Sequence, residues 1–195
     1  MTEFGYGPVG DLLPLIDGFY FVKISHLQNL SSWSILGLSM TNPYEEILRG
    51  ESLLRHGPGL RHELIAGRLH ALVSRSAAML SSLRVLPPRS VIEICPGTLL
   101  RPDLVLVTAA TGKPWLIAEV VNKVDHHPDT VTKKDIYEDV RLPRLWMVDP
   151  RYNIVEVYHG SRYGLSLHCI LANRDALTEG LLPEMNVGMA ELFAD

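Results

Sequence analysis

Residues 101–121 read RPDLVLVTAATGKPWLIAEVV, and this stretch decides the fold. It holds two apolar runs, Leu104–Val107 and Trp115–Val121, each of a length typical of a β-strand. Pro102 stands just before the first run, and a strand start is a position where proline is tolerated. The loop between the runs contains Gly112 and is long enough to reverse the chain. The pattern therefore predicts two antiparallel strands side by side.

A carboxylate, Glu119, stands in the middle of the second apolar run. An unpaired buried charge is strongly destabilising, so a cation, a proton or a metal ion must compensate it. Asp103 lies at the start of the first run, and the hairpin would bring the two carboxylates together. Adjacent carboxylates repel each other unless a hard cation such as Mg²⁺ lies between them. An aspartate at a strand start is also common in proteins without such a site, so the pair alone leaves both interpretations open.

Helical periodicity flanks this hairpin on both sides. Apolar residues recur at three- and four-residue steps over Leu60–Leu83 and again from Asp129 to about Val140. Further apolar runs typical of strands lie before the hairpin and after the second helix, at Val91–Cys95, Leu145–Val148, Ile154–Tyr158 and Leu165–Leu171. The order helix, three strands, helix, strands predicts an α/β (α+β) fold with a mixed sheet and a helix packed on each side.

Lys133 lies on the apolar face of the second predicted helix, with Ile136, Tyr137 and Val140. An ammonium group is normally excluded from such a face. A pair with Asp129 one turn earlier would explain it, although such a pair stabilises a helix by only a few tenths of a kcal/mol. Alternatively, Lys133 points at the carboxylate pair, where it would orient water and offset charge on a reacting phosphate.

Two further side chains on the inward faces of these helices have more than one interpretation. His62 stands at the start of the first helix, where it would hydrogen-bond a carboxylate, approach a phosphate or be satisfied within the core. Tyr137 is more typical of a core aromatic residue than of a platform on which nucleic-acid bases stack.

Composition and charge bound the class of protein. The chain has 195 residues and 2 cysteines, which suits one domain without a disulfide framework and predicts a reducing, cytoplasmic location. No apolar run has the length of a membrane-spanning helix, and no signal peptide is predicted. The net charge of −4 disfavours a nucleic-acid partner. Residues 49–90 nevertheless hold seven arginines and two acids, Glu51 and Glu63, and so carry +5. These arginines either line a phosphate backbone or form a solvated face.

The first 43 residues differ from the rest of the chain. They contain few charges and show no sustained period, and Asn42-Pro43 then marks a turn. We therefore predict an N-terminal extension of unclear role over residues 1–43 and a single folded domain over residues 44–195.

An ordered set of motifs in residues 44–195 resembles the Uma-type restriction endonucleases of the PD-(D/E)XK nuclease superfamily. The matching segments are YEEILRGE at 44–51, His62 at a helix start, RPD at 101–103, EVV at 119–121, DTVTK at 129–133 followed by Tyr137, LWMVDP at 145–150, Leu182-Pro183 and Glu191–Phe193. Each motif alone has little specificity, but the ordered set with compatible spacing is specific to the family.

The resemblance implies a restriction-endonuclease-like fold and a divalent metal, Mg²⁺ or Mn²⁺. Asp103 and Glu119 would be the metal ligands, together with the backbone carbonyl of Val120. The superfamily commonly places its lysine two residues after the acid, where this chain has Val121. The family's alternative is a lysine moved to the following helix, and this corresponds to Lys133.

The chain departs from the family pattern after the EVV motif. The family usually has SPST there, whereas this chain has Asn122–Asp125, so Lys123 becomes a rival for the basic role. Glu46 matches a glutamate of the family's opening motif, and His62 matches its helix start; both are additional candidate site residues.

These inferences together predict a metal-dependent endonuclease acting on DNA, with Asp103 and Glu119 holding Mg²⁺ and Lys133 assisting attack by water. One alternative is a catalytically inactive domain of the same fold that binds nucleic acid or protein. Another is a hydrolase of a different phosphate ester, which would have a closed pocket. Whether Lys133 or Lys123 reaches the Asp103–Glu119 pair would discriminate the nuclease from the inactive domain, and a closed pocket in place of an open groove would identify the other hydrolase. The sequence leaves the oligomeric state open, with a homodimer as one option.

Overall fold

The computed structural model describes residues 42–124 and 126–195. Its elements, in chain order, are β1 (Tyr44–Leu48), β2 (Glu51–Arg55), α1 (Leu60–Ala77), β3 (Leu83–Val85), β4 (Ile92–Cys95), β5 (Thr98–Leu100), β6 (Leu104–Thr108), β7 (Pro114–Val120), a π-helical segment (Pro128–Lys133), α2 (Lys134–Asp139), β8 (Arg144–Asp149), β9 (Ile154–Ser161), β10 (Gly164–Ala172), β11 (Ala176–Glu179), β12 (Leu182–Gly188) and α3 (Met189–Leu192).

The predicted hairpin forms the centre of a six-stranded sheet with the strand order β10-β9-β8-β7-β6-β3. Strands β6 and β7 are antiparallel, with Leu104 opposite Ala118. Strands β7 and β8 are parallel, because the chain between them crosses over through the second helix. The remaining neighbours in this sheet are antiparallel. The sheet is therefore mixed, which confirms the predicted fold class.

Alternating side chains of the central strands build two cores, one on each face of this sheet. On one face, Leu69 of α1 belongs to a core with Leu106 and Ala118. On the other face, Ile136 of α2 belongs to a core with Ile117. Each helix covers one face and shields the central strands from water. The prediction of a helix on each side is confirmed.

A smaller four-stranded sheet, β2-β1-β5-β4, adjoins the central one, and β11 and β12 form a separate pair. The β1–β2 hairpin turns at Arg49-Gly50, where both residues have positive φ, 53° and 88°. Glycine adopts this conformation at little cost, which favours a tight turn at this point. The hairpin brings Glu46 and Arg55 onto neighbouring strands close to the central sheet.

The first helix is shorter than its periodicity predicts. It ends at Ala77 instead of Leu83, and Met79 is 90% exposed rather than inward. Leu83 instead begins β3 and pairs with Thr108 of β6. The apolar period favours a helix up to Leu83, but at this end the chain instead forms hydrogen bonds to the edge of the sheet. The chain also has five strands between the helices instead of three, because β3 and β5 are too short to show alternation.

The second helix was predicted from Asp129 to about Val140, and its first turns are π-helical instead of α-helical. None of the helices within residues 42–124 and 126–195 is both long and apolar enough to cross a bilayer. The predicted extension over residues 1–43 lies, apart from Asn42 and Pro43, outside the described residues, as does Asp125 of the departing segment.

Candidate active site

Asp103 and Glu119 lie opposite each other at the end of the central hairpin. The β6–β7 register pairs Leu104 with Ala118, and one further step places Asp103 opposite Glu119. The charge of Asp103 contributes to the raised pKa of Glu119, so the two carboxylates lie close to each other. Both side chains are buried, with 9% and 2% of their surface exposed. The structure thus brings together the two carboxylates that the sequence singled out.

The Asp103 carboxylate is held from two sides. Its Oδ2 accepts a hydrogen bond from the Val120 backbone N–H at 2.8 Å and lies 3.4 Å from Nε2 of His62, at the start of α1. Burial raises the pKa of the Asp103 carboxyl, but His62, the Val120 N–H and Lys133 outweigh burial, so the pKa is lowered. Burial lowers the pKa of His62, but Asp103 outweighs it and the pKa is raised. His62 therefore contacts a carboxylate, one of the roles that its position predicted.

Lys133 extends from the π-helical segment into a group of three carboxylates. Its Nζ lies 2.9 Å from Glu46, 3.2 Å from Glu119 and 3.3 Å from Asp129. Burial lowers the pKa of this ammonium group, but the three carboxylates outweigh burial, and the pKa is raised well above its ordinary value. Lys123, by contrast, is exposed. Of the two rival lysines, Lys133 is the one that contacts Glu119, and it forms the expected pair with Asp129 as well.

Arg55 is a member of the site that sequence reasoning missed. Only 1% of it is exposed, and its guanidinium contacts Glu46 at 2.8 Å and both carboxylate oxygens of Asp129 at 3.0 and 2.9 Å. The sequence predicted Asp129 as a partner of Lys133 at the start of a helix but did not predict its contact with Arg55. An arginine at the end of a short strand with mixed polarity carries no pattern that distinguishes it from a surface residue.

The pKa of the Glu119 carboxyl is strongly shifted by its surroundings. Burial raises its pKa to about 8, reinforced by the charges of Asp129, Asp103 and Glu46 and opposed by Lys133. The hydroxyl of Tyr137 donates a hydrogen bond to Glu119 Oε1, the same oxygen that Lys133 approaches. Tyr137 is fully buried, as expected of a core aromatic residue, yet it also serves the site.

The site as a whole has an excess of acids over permanent cations. Its carboxylates come from Glu46, Asp103, Glu119 and Asp129, and its permanently charged cations are Lys133 and Arg55. The pKa values of His62 and Glu119 are both raised, which favours a proton on each, and these two protons would balance the excess. Carboxylate oxygens are the ligands that a hard divalent cation prefers.

Comparison with known proteins relates the chain to one protein family and to solved structures. The family model Uma2, described as "Putative restriction endonuclease", matches residues 41–189. A crystal structure from Anabaena variabilis ATCC 29413, described as a "putative nuclease belonging to DUF820", superposes with a TM-score of 0.65 at 15% sequence identity. The alignment covers 80% of this chain and 93% of that chain. No curated protein matches the sequence. The structural match shows that the fold is restriction-endonuclease-like, as predicted.

Proposed function

This chain belongs to the Uma2 family of restriction-endonuclease-like nucleases, and from that premise we propose that it is a metal-dependent endonuclease that hydrolyses phosphodiester bonds in DNA. The observation that carries the proposal is the meeting of Asp103, Glu119 and the buried ammonium group of Lys133. These groups come from three separate parts of the chain. Burying their charges has a desolvation penalty, and a chemical role for the site would explain why the chain retains them.

Asp103 and Glu119 would hold the divalent cation, Mg²⁺ or Mn²⁺. Val120 and His62 contact Oδ2 of Asp103, and Lys133 and Tyr137 contact Oε1 of Glu119, so a cation would bind at the other oxygen of each carboxylate. No three His, Cys, Asp or Glu side chains of residues 42–124 and 126–195 form a ready ligand set. A third protein ligand would therefore come from the backbone. When bound, the cation supplies Lewis-acid polarisation of the scissile phosphate.

The Val120 carbonyl is suited to be that third ligand. The Val120 N–H points toward β6, where it reaches Asp103, and the N–H and C=O of one strand residue project to the same side of the strand. Two steps beyond the Leu104–Ala118 pair, the register places Pro102 opposite Val120. Proline has no N–H to donate to that carbonyl. Because position 102 is a proline, the Val120 carbonyl oxygen lacks the backbone N–H donor that the neighbouring strand would usually supply.

Lys133 would act as a hydrogen-bond donor and a fixed positive charge. Because its pKa is raised well above the ordinary value, its Nζ keeps its proton at neutral pH and does not serve as a base. From its position beside Glu119 it would orient the attacking water and offset negative charge that develops on the phosphate in the transition state. Tyr137 would hold Glu119 through the hydrogen bond that its hydroxyl donates to Oε1, the oxygen that Lys133 also contacts.

One observation favours the alternative of a catalytically inactive nucleic-acid-binding domain. Lys133 and Arg55 already neutralise much of the acidic cluster, so the fold does not depend on a metal. In that case Lys133 would be a structural counter-ion, and the domain would bind DNA without cutting it.

A cleavage assay on supercoiled plasmid separates the two functions. The wild-type protein should nick or linearise the plasmid with Mg²⁺ or Mn²⁺ and should not do so with EDTA. Asp103→Asn keeps the shape of the side chain but removes the charge, and it should abolish cleavage. Lys123→Ala changes an exposed lysine and should leave cleavage unchanged.

Cleavage in EDTA, or full activity of Asp103→Asn, would rule out the proposed mechanism. A wild-type protein that shifts the plasmid on a gel but never cuts it with either metal would establish the inactive binding domain instead. A small phosphodiester, bis(p-nitrophenyl) phosphate, serves as a further substrate. Its hydrolysis without any cleavage of plasmid would identify the substrate as a different phosphate ester.

A further inference from the structure

A cleft of about 360 Å³ opens where strand β8 passes into β9, on the sheet face that α2 covers. We refer to it as the β8–β9 cleft. It is lined by Val121, Thr130, Met147, Asp149, Arg151, Tyr152, Ile154 and Glu156. The family motif LWMVDP and the turn after it supply much of this lining, and the proposed hydrolysis uses none of these side chains.

The sheet register places this cleft directly beside Glu119. Glu119 pairs with Met147 of β8, and Met147 pairs with Glu156 of β9. Paired residues share a face, and neighbouring strands lie about 4.8 Å apart. Met147 and Glu156, which line the cleft, therefore lie one and two strands away from Glu119. Thr130 borders the cleft from the π-helical segment that also carries Lys133. A molecule in the cleft would be a close neighbour of the bond to be cut.

An aromatic side chain stands exposed at the rim of the cleft and beside an arginine that is held in place. Tyr152 is 69% exposed, and the Arg151 guanidinium lies 5.4 Å from the centre of its ring. Asp149 fixes that guanidinium through Nε at 3.0 Å and Nη2 at 2.7 Å. An exposed ring with an adjoining guanidinium plane is the arrangement on which proteins stack single bases.

The charge of the cleft disfavours a phosphate and favours a group that donates hydrogen bonds. The charge of Arg151 is already matched by Asp149. Glu156 accepts a hydrogen bond from the neutral hydroxyl of Tyr158 at 2.6 Å, and the Lys134 ammonium group lies over the Tyr158 ring, 4.2 Å from its centre, instead of forming an ion pair with Glu156. A carboxylate beside a phosphate would repel it, whereas carboxylates accept hydrogen bonds from the amino groups of bases such as N4 of cytosine.

We propose that the β8–β9 cleft binds one unstacked nucleobase with an exocyclic amino group, from the strand next to the scissile phosphate. This rests on the proposed function, because a nucleic acid must lie across Asp103 and Glu119. Tyr152 stacks on the face of the base, and Glu156 accepts a hydrogen bond from its amino group. Thymine presents a carbonyl oxygen where cytosine presents that amino group, so it is bound less well. The cleft gives the enzyme a preference for the base beside the cut.

Binding measured without cleavage tests this proposal independently of catalysis. Fluorescein-labelled oligomers of about twelve nucleotides, oligo(dC) and oligo(dT), are titrated with protein in EDTA and followed by anisotropy. The wild-type protein should bind oligo(dC) more tightly than oligo(dT). Tyr152→Ala should weaken the binding of oligo(dC) about fivefold or more, and Tyr152→Phe should retain it, since stacking needs only the ring. Glu156→Gln should remove the preference for oligo(dC), because an amide donates to thymine as well as accepting from cytosine.

Tyr163→Ala is the matched control. Tyr163 is 80% exposed and lies beside Arg162, with the guanidinium 4.5 Å from its ring, but it belongs to the β9–β10 turn and is not part of the cleft. This variant should bind as the wild type does. Equal affinity of Tyr152→Ala and wild type, an equal loss in Tyr163→Ala, or no binding of either oligomer would overturn the proposal. If the expected binding pattern holds but plasmid is never cut, the proposed hydrolysis fails while the base cleft stands.

Discussion

Arg55 and Asp129 are 74 positions apart in the sequence, yet they form a two-point ion pair beneath the candidate site, with N–O distances of 3.0 and 2.9 Å. The same guanidinium holds Glu46 at 2.8 Å. This pairing joins the β1–β2 hairpin to the π-helical segment. Glu46 and Asp129 are two of the three carboxylates that surround Lys133, and Arg55 binds both. The arginine therefore offsets part of the negative charge around that ammonium group.

Arg55→Met should destabilise the protein by roughly 3–5 kcal/mol, because it leaves two buried carboxylates without this partner. Urea denaturation followed by circular dichroism measures the free energy of unfolding. Arg84→Met, a change of an exposed arginine on another strand, should alter it by less than about 0.5 kcal/mol. Equal small effects for the two variants would mean that the buried ion pair contributes nothing to stability.

Lys133→Ala should lower kcat by about 100-fold while changing KM little, because the lost interaction strengthens in the transition state. Steady-state cleavage of a fluorescent oligonucleotide duplex gives both constants, and a thermal melt of each variant verifies folding. Lys123→Ala is the paired variant and should match the wild type, since its side chain is exposed. Full activity of Lys133→Ala together with loss in Lys123→Ala would transfer the catalytic role to Lys123.

The stability of the metal-free protein should fall as the pH rises from about 5 to about 8 because of Glu119. Its pKa is about 8 in the folded protein, against an ordinary value of 4.5. Between these values the folded protein keeps a proton that the unfolded chain has lost, so the free energy of unfolding decreases with pH. Glu119→Gln cannot ionise, and its stability curve should be flatter over this window. Parallel curves from urea denaturation would show that Glu119 ionises normally.

Mg²⁺ should raise the melting temperature of the wild-type protein and leave that of Glu119→Gln unchanged, because a ligand stabilises only the fold that binds it. In EDTA at neutral pH the variant should be as stable as the wild type or more so, since glutamine resembles the protonated carboxyl. A loss of roughly 3–5 kcal/mol with no metal effect in either protein would instead identify Glu119 as the structural partner of Lys133.

His62→Gln should destabilise the protein by about 1–2 kcal/mol more at pH near 6 than at pH near 9. The pKa of His62 is raised above 6.5, so the stability from its charged form is present below 6.5 and lost as the pH rises through the folded value. The pKa of Asp103 is lowered, so the carboxylate stays ionised at both pH values. His70→Gln on the same helix is the control, because His70 contacts the Leu86 carbonyl instead of a carboxylate. A pH-independent loss in His62→Gln would refute the ion pair.

The centre of the site could be predicted from sequence because each of its key residues contradicts its immediate surroundings. Glu119 interrupts an apolar strand, and Lys133 interrupts an apolar helical face. Burial of a charge is unfavourable without a partner, so the carboxylate in the strand and the ammonium group on the helix are predicted to be partners of each other. The antiparallel pairing of the two central strands then followed from loop length, and the structure confirms it.

The outer members could not be predicted, because their partners are distant in sequence. Arg55 ends a strand in which charged and apolar residues show no clear period, and its contact with Asp129 depends on how β2 packs against the π-helical segment. The end of the first helix was misjudged for a related reason. The apolar period runs on through Met79 to Leu83, and only the edge of the sheet, which is a tertiary feature, ends the helix at Ala77.

The dispersal of the site along the chain has a consequence for protein synthesis. Glu46, Asp103, Glu119 and Lys133 come from β1, the start of β6, β7 and the π-helical segment, and they meet only after the central sheet has formed. A nascent chain on the ribosome therefore lacks the complete candidate site until residue 133 has left the exit tunnel and its helix has docked. Under the proposed function, a truncated product that ends before this residue would be inactive, and a cell that translates the protein would not be exposed to active fragments.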